Sequence, residues 1–403
     1  MIYILITISV LIIILGLIST RDNIFSPSVI TAAIWFLCLL LYLFLPHGLP
    51  PLANKVFVAL LLWLVLLSLS SLFIQPIVIK RQTSDVQASK LVRDIYLVIS
   101  VIAFFGLIFW VKSVLNNGFV GDWAEDLRMT AIGKDKNIKA FGGLHVILWQ
   151  ISLLLELLYF KKRNWYRLLI PIICCLCFGF FTMSKSDLLC IFIMCVCVLF
   201  FKKVVKPLHV FVGLAILFVG FMSLQAIRQQ KESKSDDFLT LYLVSSMYGL
   251  ESVKPASAEH FGENTFRFYY AIANKTGLSD TKPVKTILKF IEKPITTNTY
   301  TAIYPFYKDF GLFGLITVAI IFGLFYGWLF VRAKIGSAFF IATYAYFMHA
   351  LIMQFANDMV ITNIAGNLKF VVLLAIPFLA EKYKMFYYNS PIVQNRNFGS
   401  VLN

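Results

Sequence analysis

Runs of roughly 20 apolar residues recur along nearly the whole of this chain, and a hydrocarbon core about 30 Å thick demands runs of that length. With 60% hydrophobic residues, 14% charged residues and a mean hydropathy of +0.82, the 403-residue chain reads as an all-α polytopic membrane protein. Each span must satisfy its backbone hydrogen bonds internally, so the spans are expected to be helices, and the near-continuous runs lack the alternation of a transmembrane barrel. Candidate spans fall at 2–18, 28–46, 56–75, 94–113, 142–160, 168–183, 187–201, 207–225, 311–331, 337–356 and 366–381. That makes about eleven helices. The first run has neither a basic leader nor a small-residue cleavage site, so a retained helix is expected. Three segments result: 1–225 with the first eight helices, a polar stretch at 226–310, and 311–403 with the last three and a tail.

Charge sorts the connections. Lys80, Arg81, Lys90 and Arg93 follow the third span. Lys161, Lys162, Arg163 and Arg167 follow the fifth, Lys202, Lys203 and Lys206 the seventh, and Arg332 and Lys334 the ninth. Short loops rich in Lys and Arg stay in the cytoplasm. The rule puts both the loop at 115–141 and the polar stretch outside. The net charge of +16 is therefore a topology signal rather than a nucleic-acid stripe, and no nucleic-acid partner is expected. All seven cysteines sit in apolar runs, and Cys174, Cys175 and Cys177 lack nearby His or acidic partners, so neither a disulfide framework nor a metal site is expected.

Arg128, Lys134, Lys136 and Lys139 oppose the charge rule, because their loop is an outer one. Binding an anion would account for them; neutralisation by Asp122, Glu125, Asp126 and Asp135 is the plainer account. Arg228 follows the eighth span at headgroup depth, where a guanidinium can grip phosphate oxygens bidentately or simply anchor the helix. Within the polar stretch, PVKTILKFIEK at 283–293 places Val284, Ile287, Leu288 and Ile291 at helical spacing among lysines. Thr281 as cap and Pro283 in the first turn complete the expectation of an amphipathic surface helix ending at Pro294.

Arg267 lies in the aromatic run FGENTFRFYY. Asn298, Tyr300, Thr301, Tyr304, Tyr307, Lys308 and Asp309 crowd the approach to the ninth span. Asp309 suits either an N-cap of that span or a base at the membrane surface, and His260 and Glu263 are further base candidates. Glu156 stands near the inner end of its span, free to snorkel, and Gln354 and Asp358 are four apart on one helical face. No DxD, HExxH, P-loop or GxSxG stands in a fitting context, so no nucleotide or metal cofactor is expected.

The stretch TNTYTAIYPFYKDFGLFG resembles the signature of Wzy-type O-antigen polymerases, through Asn298, Tyr300, Thr301, Tyr307, Asp309, Phe310, Gly311 and Gly314. GENTF at 262–266 is similar to an element of that family's large periplasmic loop, and NIFSPSVI at 23–30 to its N-terminal portion. The resemblance implies a GT-C-like membrane glycosyltransferase in a bacterial inner membrane, with its site facing the periplasm. Its substrate would be an oligosaccharide repeat unit on undecaprenyl pyrophosphate, and a co-polymerase that regulates chain length would be a partner alongside the membrane lipids. Arginines in two periplasmic loops serve the family, and Arg128 and Arg228 match them by place. On this reading Asp309, Glu263 or His260 would serve the acceptor hydroxyl, while Arg267, Asn298, Tyr300, Tyr307, Lys308 and Lys134 would hold substrate. The rival readings are a lipid-linked glycan flippase, an O-antigen ligase and a glycan acyltransferase.

Overall fold

The computed structural model describes residues 1–21, 23–44, 50–79, 86–117, 122–133, 138–206, 208–210, 212–213, 243–285, 288–291 and 297–388. Those residues are helical apart from connections and one isolated antiparallel bridge, Ile291 to Thr297. The helices are α1 (Ile2–Thr20), α2 (Pro27–Phe44), α3 (Asn54–Ile79), α4 (Lys90–Asn117), α5 (Trp123–Ala131), α6 (Gly143–Leu158), α7 (Trp165–Phe181) and α8 (Lys185–Phe201). Then come α9 (Ser245–Glu251), α10 (Arg267–Lys275), α11 (Tyr304–Lys334), α12 (Ala338–Ile352) and α13 (Ile364–Tyr388). Eight helical segments among the described residues are long and apolar enough to cross a membrane, so the protein is a polytopic membrane protein. Two further expected spans, α6 and α8, form helices of 16 and 17 residues. The expected span at 207–225 lies almost wholly outside the described residues.

Contacts divide the chain into two units that cut across its linear segments. Residues 1–82, 233–335 and 346–367 form one; residues 83–232, 336–345 and 368–403 form the other.

In the first unit α11 lies against α3 through glycines. A Cβ at Gly323 would overlap the Leu67 carbonyl and the Ser70 hydroxyl, and one at Gly327 would overlap Ser71 and Ile74. Small residues four apart let two backbones approach, which replaces the hydrophobic drive that lipid cannot supply. Trp63 of α3 stacks on Phe306 with ring centroids 6.1 Å apart and meets Phe322 edge-on. Lys334 Nζ donates to the Thr20 carbonyl at 2.9 Å, so α1 and α11 end side by side. At the opposite end, the Tyr248 hydroxyl donates to the Pro50 carbonyl, Glu251 accepts from the Ala53 amide, and Lys55 donates to the Val253 carbonyl. That end carries the polar stretch. Helix α9 is buried there, Ser245 to Leu250 without exception.

In the second unit α6 is buried at every position from Leu148 to Leu157, as a central helix must be. The Trp149 indole donates to the Ser100 carbonyl of α4 at 3.0 Å, and Phe141 bridges Trp149 and Phe178. Glu156 does not snorkel. It is 4% exposed and bonded bidentately to Arg167 at 2.9 and 3.0 Å, with Arg93 3.6 Å away. Burying a charge this deep is costly unless it is paired and hydrogen-bonded, and Arg167 supplies both.

Two expectations fail, one in the polar stretch and one after α12. The helix at 283–293 is not formed where described: 283–285 and 288–290 are non-helical and Ile291 pairs with Thr297. Its backbone is engaged outward instead, with the Val284 carbonyl accepting from Arg267 and the Lys289 carbonyl from Tyr300. Val284, Ile287 and Ile291 are β-branched, and the residue before each proline prefers extended backbone. Gln354 and Asp358 also share no helical face, because α12 tightens into a 3₁₀ turn at Met353–Phe355 and then ends.

The α3–α11 contact yields a test. Gly327→Leu should lower the apparent melting temperature of the detergent-purified protein by several degrees, or stop its accumulation, because a side chain there meets the Ser71 backbone as well as Ile74, and backbone cannot move aside. Leu324→Ala, a large-to-small change one residue from Gly323, should cost less.

Candidate functional site

Five features fix the approach to α11. Thr297 and Ile291 exchange backbone hydrogen bonds at 2.8 and 2.9 Å. The chain then runs without regular structure to Ala302, whose amide donates to the Gln354 carbonyl at 2.8 Å. A short helical headpiece follows from Tyr304. At Gly311 the backbone breaks, with φ 62° and ψ −144°, a combination open to glycine and costly for any other residue. Beside this break the carbonyls of Tyr307 and Lys308 accept the amides of Ala256 and Ser257 at 3.1 and 2.8 Å, which fastens the polar stretch to the headpiece.

Asp309 completes the fastening. Its carboxylate accepts the Thr265 amide at 2.7 Å, the Asn264 amide at 3.1 Å and the Asn264 side-chain amide at 2.6 Å. It therefore caps the turn leading into α10 rather than the head of its own helix. Asn264 and Thr265 are buried, so these amides would have no water to turn to. Asp358, also buried, collects the amides of Val360, Ile361 and Thr362 in a similar way. Burial pushes its carboxyl above the usual carboxylate range while those amides oppose the rise.

A cleft of about 450 Å³ opens over the headpiece. Lys254, Lys285, Lys289 and Lys308 line it with Ser252, Ser257, Tyr300 and Tyr304, and no Asp or Glu lines it among the described residues. A second hollow of about 50 Å³ shares Val284, Lys285, Leu288 and Tyr304 with it and adds Arg267, Asn264 and Asn357. Together they form one groove with five cationic side chains over two phenols whose rings are tilted 50° to one another. The rings of Tyr300 and Tyr304 are 4.6 Å apart, and the Lys308 ammonium sits 5.7 Å from the Tyr304 ring. Burial raises the pKa of the Tyr300 hydroxyl, which stays protonated and donates to the Lys289 carbonyl at 3.1 Å. Cations gathered with little counter-charge in a part-dry groove attract a polyanion, and phenol faces suit sugar rings.

No known protein family, curated protein or solved structure matches the chain.

The expected residues sort clearly around this groove. Arg267, Tyr300 and Lys308 line it. Tyr307 is buried beneath, contributing its carbonyl, and Asn298 is half-buried on the segment leading in. None of the three base candidates lines the groove: Asp309 is engaged with Asn264 and Thr265, Glu263 accepts the Glu259 amide at 3.3 Å, and His260 is exposed. Arg128 belongs to the second unit. There it lies on α5, capped by Asp122, and its guanidinium donates to the Thr182 carbonyl at 3.4 Å. Asp122, Glu125 and Asp126 thus serve the head of α5, the first as its cap and the other two in its first turn. Arg228 and Lys134 lie outside the described residues. Sequence reasoning missed Lys254, which no motif marks, and took Lys285 and Lys289 for the polar face of a helix.

Asp309→Ala should destabilise the protein by about 1–3 kcal/mol, since it strands buried amides. Asp309→Asn keeps an acceptor and should cost less, read as the difference in melting temperature between the two purified variants.

Proposed function

We propose that the chain is a membrane-embedded glycosyltransferase that polymerises oligosaccharide repeat units carried on undecaprenyl pyrophosphate. It would transfer the growing glycan to the incoming unit, at the periplasmic face of a bacterial inner membrane. The observation that carries this reading is the groove of Arg267, Lys254, Lys285, Lys289 and Lys308 over Tyr300 and Tyr304, at the head of a membrane helix. A pyrophosphate leaving group needs fixed positive charge where negative charge develops, at the depth where a lipid carrier presents its headgroup. Tyrosine faces beside those cations give the attached sugars a surface. The segments from which the resemblance was drawn supply Tyr300, Lys308, Asn264 and Arg267 or their immediate neighbours. No nucleotide is required, because the pyrophosphate linkage carries the energy.

Orientation follows from charge. The ends of α4, α6, α7 and α8 that carry Lys90, Arg93, Lys161, Arg167 and Lys202 come together at one end of the second unit: Arg93 and Arg167 meet Glu156, and Lys202 bonds the Leu157 and Leu158 carbonyls. By the positive-inside rule this end is cytoplasmic. By the same rule Arg332 and Lys334 put the far end of α11 inside and the groove outside. A GT-C-like arrangement with about eleven spans is the architecture we assign.

Two tests follow. In a strain lacking the gene, surface polysaccharide should keep a single repeat unit on its acceptor and lose the ladder; loss of every attached unit would assign ligation or flipping instead. Arg267→Ala should cut polymer formation by roughly 10–100-fold at unchanged protein level, since a charge-assisted contact contributes about 1.5–3 kcal/mol, and unchanged polymer would remove the groove from the chemistry. Thiol labelling of whole cells should reach Ser257→Cys and not Arg163→Cys, and the reverse pattern would invert the orientation.

A further inference from the structure

A second cavity lies in the other unit and plays no part in that reading. About 480 Å³ in volume, it is lined by Lys90, Arg93, Lys161, Arg167, Glu156 and Tyr159, with Gln87 and Asn164 at its polar edge. Its cations are not equally engaged. Arg167 is spoken for: besides its bidentate pair with Glu156 it holds Asp94 at 2.6 Å. Arg93 is held loosely. It approaches Glu156 only to 3.6 Å, its guanidinium rests 4.4 Å above the Tyr159 ring, and its buried Nε has no hydrogen-bond partner. Lys90 and Lys161 are exposed at the rim. Once Glu156 and Asp94 are set against Arg167 and Arg93, the two lysines remain in excess.

What surrounds the cavity indicates its occupant. Phe160, Trp165 and Tyr166 beside it are exposed, and exposed aromatic residues at the end of a membrane helix mark the headgroup level. From there Leu169, Ile173, Leu176 and Phe180 are exposed in a single stripe down α7, at spacings of one helical turn. A molecule with an anionic head and apolar tails would place the first in the cavity and lay the second along the stripe.

We infer that this cavity is a binding site for the phosphate headgroup of an anionic phospholipid, with Arg93, Lys90 and Lys161 as its contacts. Arg167 and Glu156 are positioning residues that hold α6 and α7 together and keep Arg93 in place. A free inorganic anion shares the headgroup's chemistry but has no use for the apolar stripe. Basic pockets between membrane helices select anionic headgroups in this manner.

The test uses the full chain in detergent, titrated with phosphatidylglycerol or phosphatidylcholine and read by native mass spectrometry. Phosphatidylglycerol should be retained in preference to phosphatidylcholine. The pair Arg93→Gln with Lys161→Gln should weaken that retention by about fivefold for each charge removed. The pair Lys162→Gln with Arg163→Gln removes equal charge from neighbouring exposed positions outside the cavity lining and should leave retention unchanged. Equal retention of the two lipids, or equal loss in both variant pairs, would overturn the site. So would full displacement of phosphatidylglycerol by millimolar inorganic phosphate, which would make it a site for the free anion. Where the Arg93 variant does not accumulate, Lys161→Gln alone carries the test, with about a fivefold loss expected.

Discussion

The side-chain amide of Gln354 holds the first unit together. Its Oε1 accepts the indole of Trp35 on α2 at 3.1 Å and that of Trp63 on α3 at 2.9 Å. Its backbone carbonyl accepts the Ala302 amide, and its Nε2 donates back to Leu351. With the residue 2% exposed, no water can replace these bonds. Two helices, the turn after α12 and the lead-in to α11 therefore meet on one residue, through its side-chain amide and its backbone carbonyl. Such a node is costly to leave half-made in a low-dielectric interior, which restricts the arrangements of these four segments to the one that satisfies it.

The groove inherits its shape from that node and from the glycines. Gly323 and Gly327 set how near α11 stands to α3, Gln354 sets where the lead-in begins, and Gly311 sets where the headpiece turns. Tyr300, Tyr304 and Lys308 then project from a floor whose backbone has little freedom. The remaining wall, at Val284, Lys285, Leu288 and Lys289, hangs from two bonds to that same assembly, Arg267 to Val284 and Tyr300 to Lys289.

Much of the membrane architecture was legible because apolar run length answers directly to bilayer thickness. Expected spans such as 28–46 and 94–113 differ from α2 and α4 only at their ends. The cluster before the ninth span was also legible, since tyrosines and a lysine bordering a membrane helix stand out against apolar sequence. The wall of the groove was not. Helical spacing at 283–293 was a sound local pattern that tertiary hydrogen bonds override, and periodicity carries no information about a carbonyl claimed by a distant arginine. Glu156 misled for a related reason: its partners lie on α4 and α7, and nothing in the run around it names them. Gly323 and Gly327 went unmarked in the sequence, since a pair of small residues four apart does not say which helix it meets.

The fastening beside Gly311 has a consequence for how such a protein can vary. Its bonds join main chain to main chain: the amides of 256 and 257 to the carbonyls of 307 and 308. Main-chain groups are the same in every residue but proline, so these two bonds do not depend on which side chains flank them, whereas Gly311 is held by its dihedral angles and Asp309 by the amides its carboxylate accepts. The main-chain part of this fastening can therefore survive side-chain change on either side of it.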